Sequence, residues 1–268
     1  MNKFYIQTAL FLLSIFAYAN NETLAAETAP GQATKHQLRS HHTTSEEPHE
    51  KKSHLLSTSN NNNNSIIAAN IMKDAVKQLE YHATSKDGYE PYVHYPSDDI
   101  SYYLKKFDDE ADILKINLNI YSSNQYDGII NRLWDPNSPS IFNQGSTQIL
   151  HVYNPNLVLI RQFCKKDSKD YQKYFYALVS KAEISKDKTI IAMTSVNVNE
   201  HHSKNLGPHK NTILENACSF NEFLNPKYHI ASKKYVKAYV NLAGYLIEKK
   251  GDGLEITYIE SIRGHSSV

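Results

Sequence analysis

Only two cysteines, Cys164 and Cys218, occur in 268 residues, so no framework of disulfides organises this chain. We read both as buried free thiols. No sign of charge dominates either: 29 Lys and Arg face 28 Asp and Glu, a net charge of +1, which removes the electrostatic case for a nucleic-acid partner. Beyond the first twenty residues no apolar run approaches the roughly 20 residues that a membrane-spanning helix needs. Catalytic motifs are missing as well. There is no Gly-x-Ser-x-Gly elbow, no His-Glu-x-x-His, no phosphate loop and no paired Cys-x-x-Cys, so no enzymatic activity and no cofactor is expected. The adjacent histidines of "NEHHSK" at 199–204 point to different sides of any helix or strand and make a poor metal site. Tryptophan is scarcest of all: Trp134 stands alone among nineteen tyrosines.

What is present starts with a leader. Lys3 supplies a positive charge, an apolar run extends from Ile6 to Tyr18, and Ala17-Tyr18-Ala19 has the small-x-small form of a signal-peptidase site, although a cut near Ala26 fits too. The expected division is a signal peptide over 1–19, a spacer over 20–65 and one folded domain over 66–268. The spacer is Thr, Ser, His, Glu and Lys ending in "NNNNNS", with too little apolar surface to offset chain entropy. Its histidines, His36, His41, His42, His49 and His54, are spaced irregularly, as in a solvated tract rather than a metal site.

In the folded part, Ile67, Ile71, Ala75 and Leu79 recur at four-residue steps and predict a helix that Ser65 could cap. The period then changes to two in "ISYYLKKF" and "LKINLNIY", which predict half-buried strands. A short amphipathic helix follows, with Tyr126, Ile129, Ile130 and Leu133 on one face, running into Trp134 and stopped by Pro136. Strand patterns return in "TQILHVY", "LVLIRQF", "KYFYALVSKAEIS" and "TIIAMTSV". A helix is expected in "NTILENACSFNEFL", and two long strands, "YVKAYVNLAGYLIEKK" and "LEITYIES", close the series. Helix, strands, short helix and a meander of strands make an α+β fold with an antiparallel sheet.

A curved antiparallel sheet around a helix tends to enclose a cavity. With Lys181 and Glu183 facing water, alternation sends Tyr174, Tyr176, Leu178 and Ser180 inward. From the residues alone these tyrosines are core first and cavity lining second.

The series "IINRLWDPNSP", "VYNPNLVLIRQF", "KYFYALVSKAEISKDKTIIAMTSVNVNEH", "NTILENA" and "VNLAGYLIEKKGDGLEITYIESIRGH" resembles the fam-a proteins of rodent malaria parasites, across 66–268 and with a similar leader and spacer. That resemblance implies a START-type domain: a helix-grip fold with a curved antiparallel sheet around a lipid cavity. Trp134-Asp135 matches the family's Trp-Asp helix end, and Gly244, Tyr245, Ile247, Thr257 and Tyr258 match its late strand pair. In phosphatidylcholine-binding START domains the acid and a nearby arginine contact the headgroup and aromatic rings cage the choline.

The implied lipid-binding set is Arg132, Trp134, Asp135, Arg161, Tyr174, Tyr176, Met193 and Tyr245. Two departures accompany it. The family arginine lies three residues before the tryptophan, where this chain has Asn131, and the long closing helix over the tunnel is absent or shortened, since the chain runs from its last strand into "GHSSV". The function so implied is a secreted, monomeric carrier of phosphatidylcholine-like phospholipid making transient membrane contact, in the parasitophorous vacuole or the host red cell. The alternative is a host-facing surface or adhesion protein that keeps the fold without lipid transfer.

Overall fold

The structure is a computed structural model, and it describes residues 58–94, 99–107, 111–138, 146–164, 172–199, 210–223 and 235–263. The expected leader, most of the spacer and the residues after Arg263 lie outside these.

Helix α1 spans Thr58–Thr84. Ala68, Ile71, Met72, Ala75 and Leu79 form its buried stripe, at the spacing that brings side chains onto one helix face. Burying side chains such as Ile71 and Leu79 is worth roughly 1.5–3 kcal/mol each, which outweighs the weak helix propensity of the asparagine run. The helix therefore starts at Thr58, inside the stretch read as spacer, and Ser65 is not its cap. Asn64 instead donates to Glu222 Oε2 at 3.0 Å. At the far end Lys115 supplies the cap. Its Nζ donates to the carbonyls of His82 at 3.3 Å and Ser85 at 2.5 Å, oxygens that the helix end leaves without partners. Burial holds the Lys115 ammonium down to about 8, and it lies 4.0 Å from the centroid of the Tyr89 ring.

The strands are β1 (Glu90–His94), β2 (Ile100–Lys105), β3 (Ile113–Ile120), β4 (Ser146–Asn154), β5 (Leu157–Phe163), β6 (Gln172–Ser185), β7 (Lys188–Ser195), β8 (Asn197–Asn199), β9 (Asn221–Phe223), β10 (Tyr235–Lys237), β11 (Tyr239–Lys250) and β12 (Gly253–Arg263). Nine of them form a curved antiparallel sheet in the order β1-β2-β3-β12-β11-β7-β6-β5-β4; β10 lies parallel along β6, and β8 and β9 make a small parallel pair. Helix α2 spans Tyr126–Trp134, between β3 and β4.

Both faces of the sheet are buried. Leu159, Tyr174, Tyr176, Leu178, Ile190, Leu242 and Ile259 pack toward α1, whereas Ile160, Phe175, Ala177, Val179, Ile191, Tyr245 and Tyr258 pack on the opposite face with α2. Gly244 sets the approach of α1 to the sheet. Its φ of +147° is rarely adopted by other residues, and a Cβ there would meet the Ile191 carbonyl oxygen and come within 2.7 Å of Leu79 Cδ1.

Three expectations are corrected. The expected long strand from Tyr235 is two: β10 pairs with β6, and Ala238, whose N–H donates to Tyr174 O at 2.8 Å, separates it from β11. The helix expected over "NTILENACSFNEFL" is a 3-10 turn at Glu215–Ser219 followed by β9. The reason is Asn211. Its buried side chain accepts from the N–H groups of Ile213 at 3.0 Å and Leu214 at 2.8 Å, bonds that compete with helix formation. Its Nδ2 meanwhile donates to Thr194 Oγ1 and the Asn241 carbonyl, pinning the segment to the sheet. The cysteines are free, but only Cys164 is partly buried, with burial pushing its thiol up to about 11; Cys218 is exposed because its turn packs Leu214, Ala217 and Phe220 inward instead.

Candidate functional site: a cavity beneath the tryptophan helix

A 3-10 turn at Ser123–Gln125 leads into α2. Tyr126 ties the start of that helix to β7 by a 2.9 Å bond between its hydroxyl and Thr189 Oγ1. Ile129 and Ile130 face the sheet, which leaves Leu133 and Trp134 partly buried over it at the last turn. The helix ends at Asp135, whose backbone is extended with ψ 117°, and proline follows, which disfavours helical backbone at the residue before it. The Asp135 carboxylate is held in place by the turn it starts: Oδ1 accepts from the Asn137 N–H at 2.9 Å and Oδ2 from the Ser138 hydroxyl at 3.3 Å.

Between this helix end and the sheet lies a partly open cavity of about 350 Å³. Val158, Ile160 and Gln162 of β5, Val179 of β6, Ile191 and Met193 of β7 and Tyr245 of β11 line the sheet side. Leu133, Trp134, Asp135 and Pro136 line the helix side, and Ile149, Val152, Asn154 and Pro155 form the rim. A few polar groups on an apolar wall is the usual composition of a ligand site, and this volume lies at the lower end of such sites, roughly 300–1,000 Å³. Gln162 is committed to the wall: it accepts from Thr147 Oγ1 at 2.5 Å and donates to the Phe163 carbonyl at 2.9 Å.

A cation stands beside the site, and a buried acid outside its lining lies on the same face of the sheet. Lys181 places its ammonium 5.4 Å from the centre of the Trp134 ring, within the range of a cation–π contact. Deeper in the same face, Tyr258 donates a short hydrogen bond to Glu260 Oε2, and its ring packs 5.2 Å from that of Tyr245. Glu260 is only 7% exposed, and burial pushes its carboxyl up to about 8, against the opposing pull of the Tyr258 bond. The protonated form of the carboxyl is therefore favoured near neutral pH.

Trp134, Asp135, Met193 and Tyr245 of the expected set come together around the cavity. Arg132 lies on α2 but is not part of the lining. Arg161, Tyr174 and Tyr176 fall on the α1 face: Arg161 donates to Gln148 Oε1 at 2.6 Å and lies over Phe163, and Tyr174 packs edge-on against Tyr176 with centroids 5.8 Å apart. This corrects the cavity lining expected of β6, whereas the reading put first from the residues, that its tyrosines are core, agrees with their burial. Its cavity face carries Phe175, Ala177, Val179 and Lys181, because both faces are buried and alternation alone assigns neither to the cavity. Sequence reasoning missed Val158, Ile160, Gln162 and Val179, which a fixed phase for β5 and β6 would have found. Among the described residues no group of His, Cys, Asp and Glu is placed to hold a metal ion.

No protein-family model matches this chain, and no curated protein matches it in sequence. Solved structures do match in shape. Human STARD10 superposes with a TM-score of 0.53 at 15% identity over 72% of this chain and 68% of that one. Human StAR-related lipid transfer protein 5 gives 0.48 at 12% identity over 74% and 83%, and a STAR-related lipid transfer protein fragment from Xanthomonas axonopodis gives 0.45 at 12% over 68% and 85%. The superposition with STARD10, together with the curved antiparallel sheet, shows the START-like helix-grip fold.

Proposed function

We propose that this protein binds lipid in the cavity beneath α2 and carries it between membranes. The observation that carries the reading is the cavity itself. Val158, Ile160, Val179, Ile191 and Met193 offer an apolar wall, with Asn131, Asp135 and Ser138 at the helix side and Gln162 and Tyr245 among the few polar groups of the sheet side. Shielding an acyl chain there is favourable by roughly 0.8 kcal/mol per buried CH₂, which offsets leaving a bilayer. The cavity suits a headgroup or a chain segment, with the rest of a lipid toward its open side. Ile149 and Val152, 41% and 57% exposed on the rim, give the mouth an apolar edge fitted to transient contact with a membrane.

The finer assignment is a phosphatidylcholine-like phospholipid, with Trp134 shaping the helix end and Asp135 at the headgroup. The route is secretory, from the leader in the sequence. The test is lipid mass spectrometry of the purified protein together with transfer of fluorescent lipid between liposomes, on the parent and on Val179→Trp, which fills the cavity from the sheet side. Co-purified phospholipid and transfer that the plug variant abolishes are expected. Absence of both lipid and transfer in the parent would remove the reading and favour a surface or adhesion role.

A further inference from the structure

Lys181 stands out once β6 is phased correctly. It lies on the cavity face two residues from Val179, opposite Ile191, and its ammonium rests over the indole of Trp134. No carboxylate pairs with it among the described residues: Glu183 is exposed and makes no bridge to it, and Asp135 turns its oxygens to Asn137 and Ser138. Lys181 is not itself part of the lining but rests on a ring that is, and a lysine held there by a ring face rather than by an acid keeps its charge available to an anion.

We propose that Lys181 is the phosphate-binding residue of this site, and that the ligand class is a lipid with a zwitterionic phosphodiester headgroup. The inference rests on the lipid reading above and assigns the role that neither Arg132 nor Arg161 is placed to fill. One positive group and one negative group flank the same indole: Lys181 over its face and Asp135 next to it in the chain. A headgroup with a phosphate and an ammonium matches both. A purely anionic headgroup leaves Asp135 opposed, and a neutral diacylglycerol leaves both charges without a partner. Trp134 holds Lys181 until lipid arrives, and the indole face is then freed for the cationic end of the headgroup.

Because Trp134 is the only tryptophan, its emission reports on this contact without labelling. The experiment measures extraction of phosphatidylcholine, phosphatidylglycerol and diacylglycerol from vesicles by the full chain, its Lys181→Met and Lys181→Arg variants, with Trp134 emission followed throughout and circular dichroism confirming the fold. The parent is expected to prefer phosphatidylcholine. Lys181→Met should lower its extraction at least tenfold, leave diacylglycerol extraction unchanged and shift the lipid-free Trp134 emission, and Lys181→Arg should retain most activity. Equal phosphatidylcholine extraction by Lys181→Met and parent overturns the proposal, as does a parent that prefers phosphatidylglycerol. A parent that extracts only diacylglycerol overturns it while the lipid reading stands; a parent that extracts none of the three ends both.

Discussion

Replacing Glu260 by glutamine should remove a penalty that grows as the medium becomes alkaline. In the folded protein this carboxyl titrates at about 8, against 4.5 for an unperturbed one, chiefly because it is buried. Between those two values the unfolded chain has released its proton and the folded protein has kept it, so the unfolded state binds fewer protons and stability falls as pH rises. The interval from 4.5 to about 8, at about 1.4 kcal/mol per unit of pH, corresponds to about 5 kcal/mol. Glutamine keeps the shape and an oxygen for the Tyr258 hydroxyl, yet has nothing to titrate. The stability difference between Glu260→Gln and parent should therefore widen in favour of glutamine by about 4 kcal/mol from about pH 5 to about pH 9. Urea denaturation followed by circular dichroism at several pH values measures this directly. His82, held down to about 4 by burial and by Lys105 and Lys115, destabilises both proteins alike as pH falls through its window, and cancels in the difference. A gap that stays constant from acid to alkali would refute the claim that Glu260 is buried as a neutral acid.

Two further outcomes follow from the packing. Gly244→Ala should destabilise the fold by about 3 kcal/mol or more, since a Cβ would strike the Ile191 carbonyl and Leu79 at a backbone angle unsuited to alanine; an unchanged thermal midpoint would show that α1 does not close on the sheet there. Asn211→Ala removes buried hydrogen bonds to Thr194, Asn241, Ile213 and Leu214, at roughly 1–3 kcal/mol for stranded partners, and should raise hydrogen exchange selectively at the Ile213 and Leu214 amides.

The position of Trp134 was legible because two independent signals agreed: apolar residues at Tyr126, Ile129, Ile130 and Leu133, and a proline stop at Pro136. The strands were legible for the same reason, as alternation and turn residues coincided. Which side of β6 meets the cavity was not. Tyr174 and Tyr176 read as core or lining alike, and Lys181 looks like a mark of solvent, but in a sheet covered on both faces a period of two names two sets without ranking them. Lys181 rests its ammonium over an indole, a contact with a partner 47 residues away in the numbering. Glu260 was hidden differently. An acid inside "TYIESIR" reads as an exposed position, and only the partner two residues earlier on the same face, Tyr258, explains its burial. The 211–220 segment misled because apolar spacing suggested a helix while one side chain, Asn211, had already claimed the backbone amides.

The sheet order also fixes when this protein can fold. Strand β3 pairs with β12 across more than a hundred residues of intervening chain, and β12 in turn carries β11. Among the described strands, the one that joins the β1-β2-β3 ribbon to the rest of the sheet is thus the last in chain order. Until Gly253–Arg263 has emerged, the β1-β2-β3 ribbon has no neighbour on its inner side and cannot join the strands that bear the cavity. Pairing at such separation is slow and leaves unpaired edges exposed meanwhile. Completion of the sheet therefore waits on Gly253–Arg263, and loss of that strand should cost both the edge ribbon and the ligand site, not merely one edge of the sheet.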